Sequence, residues 1–211
     1  MYLIQENQIW IMTDTLATYP DGKPYLFTSK CVAVPHLDMT VAFTGIKDVG
    51  QRWLNCLITS VLGKNIDTVN SFVPDQLSKI TNNVEREFGK LPMTTTIYHF
   101  GYSEKSGGKY MGYAFRSEHG YSSELLANNA FGCKPQPTNP LEQAPTTIEE
   151  WVNMAKKLKQ EQESRGESQR VFIGGDLILT VMNNQKILNE KVFKFDDFNS
   201  CWNDMNRNLR I

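Results

Sequence analysis

Apolar and polar residues alternate over much of the first 45 positions, the spacing of strands that bury one face. Tyr2 to Ile4 and Ile9 to Thr13 are two short runs of this kind. Gln5-Glu6-Asn7-Gln8 between them predicts a tight hairpin, with Asn7 in the turn. Pro20-Asp21-Gly22-Lys23-Pro24 predicts a turn and surface loop, because Pro and Gly set backbone angles that strands do not accept. Phe27 to Val32 returns to β character, and the alternation of Leu37, Met39, Val41 and Phe43 predicts a half-buried strand. The period then changes. Val49, Trp53, Leu54, Leu57, Ile58, Val61 and Leu62 recur at helical spacing, with Gly63 as the stop. Pro74 suits the first turn of a second helix, whose Leu77, Ile80, Val84 and Phe88 share a side up to Gly89.

The second half repeats this alternation of blocks. Thr94 to Tyr102, a turn over Ser103 to Gly108, and Tyr110, Met111, Tyr113 and Phe115 predict a hairpin. Asn128 to Pro145 reads as a loop. Thr147 and Glu150 form a T-x-x-E capping box, opening a helix that turns Ile148, Trp151, Val152, Ala155 and Leu158 inward. The polar stretch Gln160 to Gln169 ends that helix in solvent. Val171 to Met182, a turn at Asn183-Asn184-Gln185, and Ile187 to Phe195 predict a further hairpin. Asp196-Asp197 then starts a short terminal helix with Phe198, Cys201, Trp202 and Met205. Four strands, two helices, two strands, a helix, two strands and a helix suit an α+β fold. Two antiparallel sheets stack with helices on both outer faces, a four-layer αββα sandwich. No Pro/Gly/Ser-rich stretch divides the chain, so residues 1–211 are expected to form a single domain.

Composition narrows the function. The charges nearly cancel (22 basic, 23 acidic), so no global field recruits nucleic acid or anionic lipid. The apolar runs are too short to cross a bilayer, and Met1 to Glu6 lacks the basic start and apolar core of a signal peptide. Cys31, Cys56, Cys133 and Cys201 are scattered, with no CxxC pair and no histidine cluster. Neither structural zinc nor a disulfide framework is expected, and no cofactor; a reducing, cytoplasmic setting follows. His36, His99 and His119 are isolated and read as structural hydrogen-bonding residues. No Walker loop, Rossmann fingerprint or G-x-S-x-G is present. Gly107-Gly108 fits hairpin geometry. Tyr98, Tyr102, Tyr110 and Tyr113 read as cross-strand packing rather than a base-stacking surface, since Arg and Lys do not interleave them.

The candidate chemistry sits at strand ends. Asp14 closes the run Ile9-Trp10-Ile11-Met12-Thr13, and Lys30 lies in Phe27-Thr28-Ser29-Lys30-Cys31-Val32. Val41-Ala42-Phe43 ends at Thr44-Gly45, just before the first helix. A strand-end Asp and a Lys on a following strand could be a surface ion pair worth little. This order of Asp, Lys and Gly, with Phe172-Ile173-Gly174-Gly175-Asp176 as a late element, resembles a proteasome β-type subunit of the N-terminal-nucleophile hydrolases. The resemblance implies that the Lys tunes an N-terminal Thr, the Asp holds the Lys, and the Gly N–H stabilises an oxyanion. Asp14, Lys30 and Gly45 are the matching positions. The sequence opens Met1-Tyr2-Leu3, without the hydroxyl or thiol that this mechanism needs. Two readings follow. In one, the chain has lost peptidase activity and serves an assembly, structural or binding role. In the other, it is an Ntn-type threonine peptidase or amidohydrolase after processing, or with a displaced nucleophile assisted by Lys30 and Asp14. The resemblance implies self-association or a protein partner in either case, and a peptide substrate only in the second.

Overall fold

The structure, a computed structural model, describes residues 1–61, 63–139, 143–166, 169–184 and 186–208. Leu62 and Gln185, positions 140–142 of the expected loop and 167–168 of the polar stretch lie outside the described residues.

Two five-stranded antiparallel sheets form the centre. The first has β1 (Tyr2–Gln5), β2 (Gln8–Asp14), β10 (Phe131–Gly132), β11 (Asp176–Asn183) and β12 (Lys186–Lys194), in the order β10-β1-β2-β11-β12. The second has β5 (Cys31–Val34), β6 (Met39–Thr44), β7 (Thr96–Ser103), β8 (Lys109–Arg116) and β9 (Ser123–Leu126), in chain order. A small ribbon of β3 (Leu16–Thr18) and β4 (Pro24–Phe27) links them. The helices are α1 (Lys47–Thr59), α2 (Ile66–Val69), α3 (Val73–Phe88), α4 (Ile148–Glu163) and α5 (Phe198–Asn208).

Side-chain alternation makes the layers. Met39, Val41 and Phe43 of β6 point to one face of the second sheet and pack with Trp53 and Leu57 of α1 and Leu77 of α3. Ala42 points the other way and joins Ile4, Ile9, Ile11, Phe100 and Met182 between the sheets. On the far side of the first sheet, Leu3, Met12, Leu177 and Leu179 meet Trp151, Val152 and Ala155 of α4. The result is the αββα sandwich expected from the order of elements. Among the described residues no helix is long and apolar enough to cross a membrane.

Several local expectations need correction. β6 is buried along nearly its whole length rather than on one face, because helices cover one side and the other sheet covers the second. Helix α1 stops at Thr59, not at Gly63, where the Thr59 hydroxyl donates to Asn55 O (2.8 Å) and Ser60 leaves helical backbone angles. Phe88 and Ile148 are exposed, each at a helix end beyond the reach of the sheet. The loop after Asn128 contains β10, paired to β1 through Tyr2↔Gly132 and Leu3↔Phe131. Strand β11 begins at Asp176, because Gly175 adopts φ +81° and ends the preceding irregular stretch. Gln162 is buried instead of solvated, its side-chain oxygen accepting from Val171 N–H at 3.0 Å.

The tyrosines pack as expected, with Tyr102 and Tyr110 paired across β7 and β8 at 5.8 Å between ring centres. His99 is fully buried, stacks on Trp53, and its Nε2 accepts the Trp53 indole N–H at 2.8 Å. Burial drives its pKa down to about 3. The unfolded chain therefore takes up a proton near pH 6.5 that the folded chain refuses. Stability is complete above that value and is lost as pH falls towards 3. Between pH 7 and pH 5 the loss should be about 2 kcal/mol from this group alone. Urea melts across that range should show it, and His99→Gln should flatten the profile. An unchanged slope in the variant would assign the effect elsewhere.

Candidate active site

Three strand ends converge where the two sheets are joined. The Lys30 ammonium lies 2.8 Å from Asp14 Oδ1 and 2.9 Å from Oδ2, so a residue preceding β5 in one sheet holds the last residue of β2 in the other. Both side chains are largely withdrawn from solvent, at 21% and 16% exposure, which makes this more than an exposed surface pair. Asp14 Oδ2 also accepts the Gly174 N–H at 3.2 Å. The next residue, Thr15, accepts Asp176 N–H on its hydroxyl at 2.9 Å, and Leu16 N–H donates to Gly174 O. The late Gly174-Gly175 turn thus wraps around Asp14. A Cβ on Gly175 would lie 2.3 Å from Thr15 Oγ1, so only glycine allows this approach.

Gly45 enters from the second sheet. Lys30 O accepts the Phe43 N–H at 3.1 Å, which sets Gly45 two residues beyond the Lys30 backbone. Its φ of +97° turns the chain from β6 into α1, and a Cβ there would stand 2.0 Å from Thr94 O. Ile46 N–H then donates to Thr95 Oγ1 at 3.1 Å and ties the turn to the start of β7.

Strand β1 brings Met1 to the same place. The Met1 amine donates to Met12 O at 2.8 Å, and Met12 N–H donates to Met1 O at 2.8 Å, two residues before Asp14. The Met1 side chain packs against the apolar cluster of Leu3, Met12 and Trp151. Burial lowers the pKa of its amine; the neighbouring Cys133, Asp14 and Cys31 partly oppose this, and Lys30 adds to it. A buried amine of lowered pKa can serve as a general base, whereas the thioether beside it has no proton to give up.

Cys133 is a residue that sequence reasoning missed. It directly follows β10, whose register with β1 carries it beside Met1. Its thiol donates to Pro135 O at 3.1 Å, and burial raises its pKa, with the Met1 amine acting in the opposite direction. Next to it, Lys134 reaches Thr96 Oγ1 at 2.8 Å; desolvation of its ammonium, then Arg116, lowers its pKa. A two-residue strand leaves no periodic signal, so nothing in the sequence pattern pointed to Cys133. Cys31 faces the core between the sheets, and burial pushes its thiol up to about 12. All four cysteines are free. No group of three or more His, Cys, Asp or Glu among the described residues is arranged to hold a metal ion.

No family model matches the sequence, and no curated protein matches it. The fold does have solved counterparts. Anbu (ancestral beta-subunit) from Yersinia bercovieri superposes with a TM-score of 0.59, over 99% of this chain and 92% of that one, at 9% identity. Identity that low carries the architecture and no more. The chain has a proteasome-like fold of stacked antiparallel sheets between helices.

Proposed function

We propose that this chain is a proteasome β-subunit-like protein that has lost N-terminal-nucleophile peptidase activity and serves an assembly, structural or binding role in the cytoplasm. The observation that carries the reading is the apolar packing at the start of β1. The Met1 side chain is an apolar thioether packed with the cluster of Leu3 and Met12, while its backbone pairs with Met12, two residues before Asp14. Asp14, Lys30 and Gly45 are the family-matched remnants, and their persistence has a structural cause. Removing either member of a largely buried ion pair strands the charge of the other.

The fold also supports self-association into a homo-oligomer or a place in a larger particle. Its helices form the two outer layers of the sandwich, where a neighbouring subunit would meet them. Fluorogenic peptides should not turn over, and light scattering should give a mass above that of the 24.1 kDa monomer. A processed terminus starting with Thr, Ser or Cys, or turnover abolished in Lys30→Ala, would overturn the loss of activity. A monomer mass across a dilution series would remove the oligomer.

One observation favours a second reading, an active peptidase or amidohydrolase with a displaced nucleophile. Cys133 lies beside the Met1 amine. In that reading the thiol gives its proton to the amine and attacks an amide carbonyl. The leaving amine takes the proton back, and water hydrolyses the thioester. The raised thiol pKa weighs against it. Peptide turnover lost in Cys133→Ala would establish it.

If the ion pair persists as a lock, single and double substitutions should not add. Lys30→Met should cost about 2 kcal/mol by leaving Asp14 with the Gly174 N–H alone. The double variant Lys30→Met/Asp14→Leu should recover at least half of that in denaturant melts. Additive losses would mean that the pair contributes nothing as a pair.

A further inference from the structure

Asp14 is held from two directions, and the second leads away from the site. The peptide group joining Ile173 to Gly174 donates its N–H to Asp14 Oδ2 at 3.2 Å. Its carbonyl, on Ile173, accepts from Lys159 Nζ at 2.8 Å. Lys159 projects from α4, and its ammonium also meets Asp197 Oδ2 at 2.6 Å and Glu163 Oε1 at 3.0 Å. All three ammonium hydrogens therefore have acceptors. Burial opposes the charge on Lys159, but the two carboxylates outweigh it and raise its pKa, so the group is a fixed cation.

We propose that Lys159 is a positioning residue for the Asp14–Lys30 pair, acting through the Ile173–Gly174 peptide. A cation on the carbonyl end polarises the peptide and makes its N–H a stronger donor to a carboxylate. The same contact fixes the plane of the peptide, and with it the point at which Gly174 meets Asp14. Asp197 and Glu163 orient the ammonium and balance its charge. The chain of contacts runs from the start of α5 and the end of α4, through the turn before β11, to β2 and Lys30. Gly174 suits this passage because a Cβ would stand 2.9 Å from the Leu16 side chain. The proposal stands whether or not the site turns over a substrate.

The test reads the Gly174 amide and Lys30 in the full-length protein. Lys159→Met should move the Gly174 amide proton upfield in ¹⁵N-resolved spectra and speed its exchange with solvent about tenfold. Lys30 should become more reactive towards an acylating ester, followed by peptide mass mapping. Signals of Ile97 and Phe115, in the opposite sheet, should stay in place. Lys159→Arg should restore the Gly174 shift, since the cavity of about 120 Å³ beside Lys159 has room for a guanidinium. If Lys159→Met does not fold, Asp197→Asn is read instead and should shift Gly174 in the same direction. A Gly174 amide and Lys30 reactivity at wild-type values, with changes confined to α4 and α5, would overturn the proposal and leave Lys159 as a tie between two helices.

Discussion

The ion pair between Asp14 and Lys30 joins the two sheets at the margin of their shared core. Between the sheets most side chains are apolar, among them Ile4, Ile9, Ile11 and Phe100, so dispersion and the exclusion of water do most to hold the layers together and do little to fix their relative orientation. A charged contact is directional. Lys30 meets both carboxylate oxygens, and Gly174 takes one of them as well, so β2, β5 and the turn before β11 share one geometry. The cost of withdrawing both charges from water is offset only while all three contacts hold. Beside this contact Gly175 passes Thr15, and Gly45 turns into α1 against Thr94, both at distances that a Cβ would forbid.

The helical layer on the second sheet depends on a polar contact of a different kind. His99 stands in a strand whose neighbours are apolar, and burial keeps it neutral. A neutral imidazole can accept the Trp53 indole hydrogen, while a protonated one cannot. One acceptor therefore lets the largest side chain of α1 sit at full burial against the sheet. The opposite helix packs without such a contact: α4 presents Trp151 and Ala155 to Leu3, Met12 and Leu177, and the buried Trp151 indole N–H has no acceptor among the described residues.

Much of this architecture was legible in the sequence, for reasons that differ by element. Trp53, Leu57 and Leu77 repeat at helical spacing because one helix face is buried, and the capping box at Thr147 and Glu150 forms as written. Asp14, Lys30 and Gly45 were singled out by the resemblance of their order to a known family, and the structure brings Asp14 and Lys30 together as an ion pair. Where burial comes from both sides, as along Met39–Thr44, alternation still marks the strand but misstates its exposure. Cys133 and Lys159 left no mark at all. One is positioned by a two-residue strand paired with the far end of the chain, the other by a carbonyl in an irregular stretch. Both depend on register and backbone direction at long range, and neither is a property of local composition. Gln162 escaped for the same reason, since its burial comes from a contact with Val171 across the end of α4.

The Asp14–Lys30 pair is commonly read as a sign of chemistry, yet its energetics separate it from chemistry. A catalytic lysine and a structural one place the same demand on their surroundings: a carboxylate close enough to compensate the charge. Once two sheets are built around such a pair, substitution of either partner exposes the fold to the unpaired charge of the other. The Met1 side chain is under no such constraint. The residue at the start of β1 is anchored by its backbone, through the paired contacts of Met1 with Met12, and its side chain can change without unpairing any charge. The charged pair and the apolar start of β1 are therefore held in place by different physics, one by the cost of an unpaired charge and the other by backbone hydrogen bonds and packing.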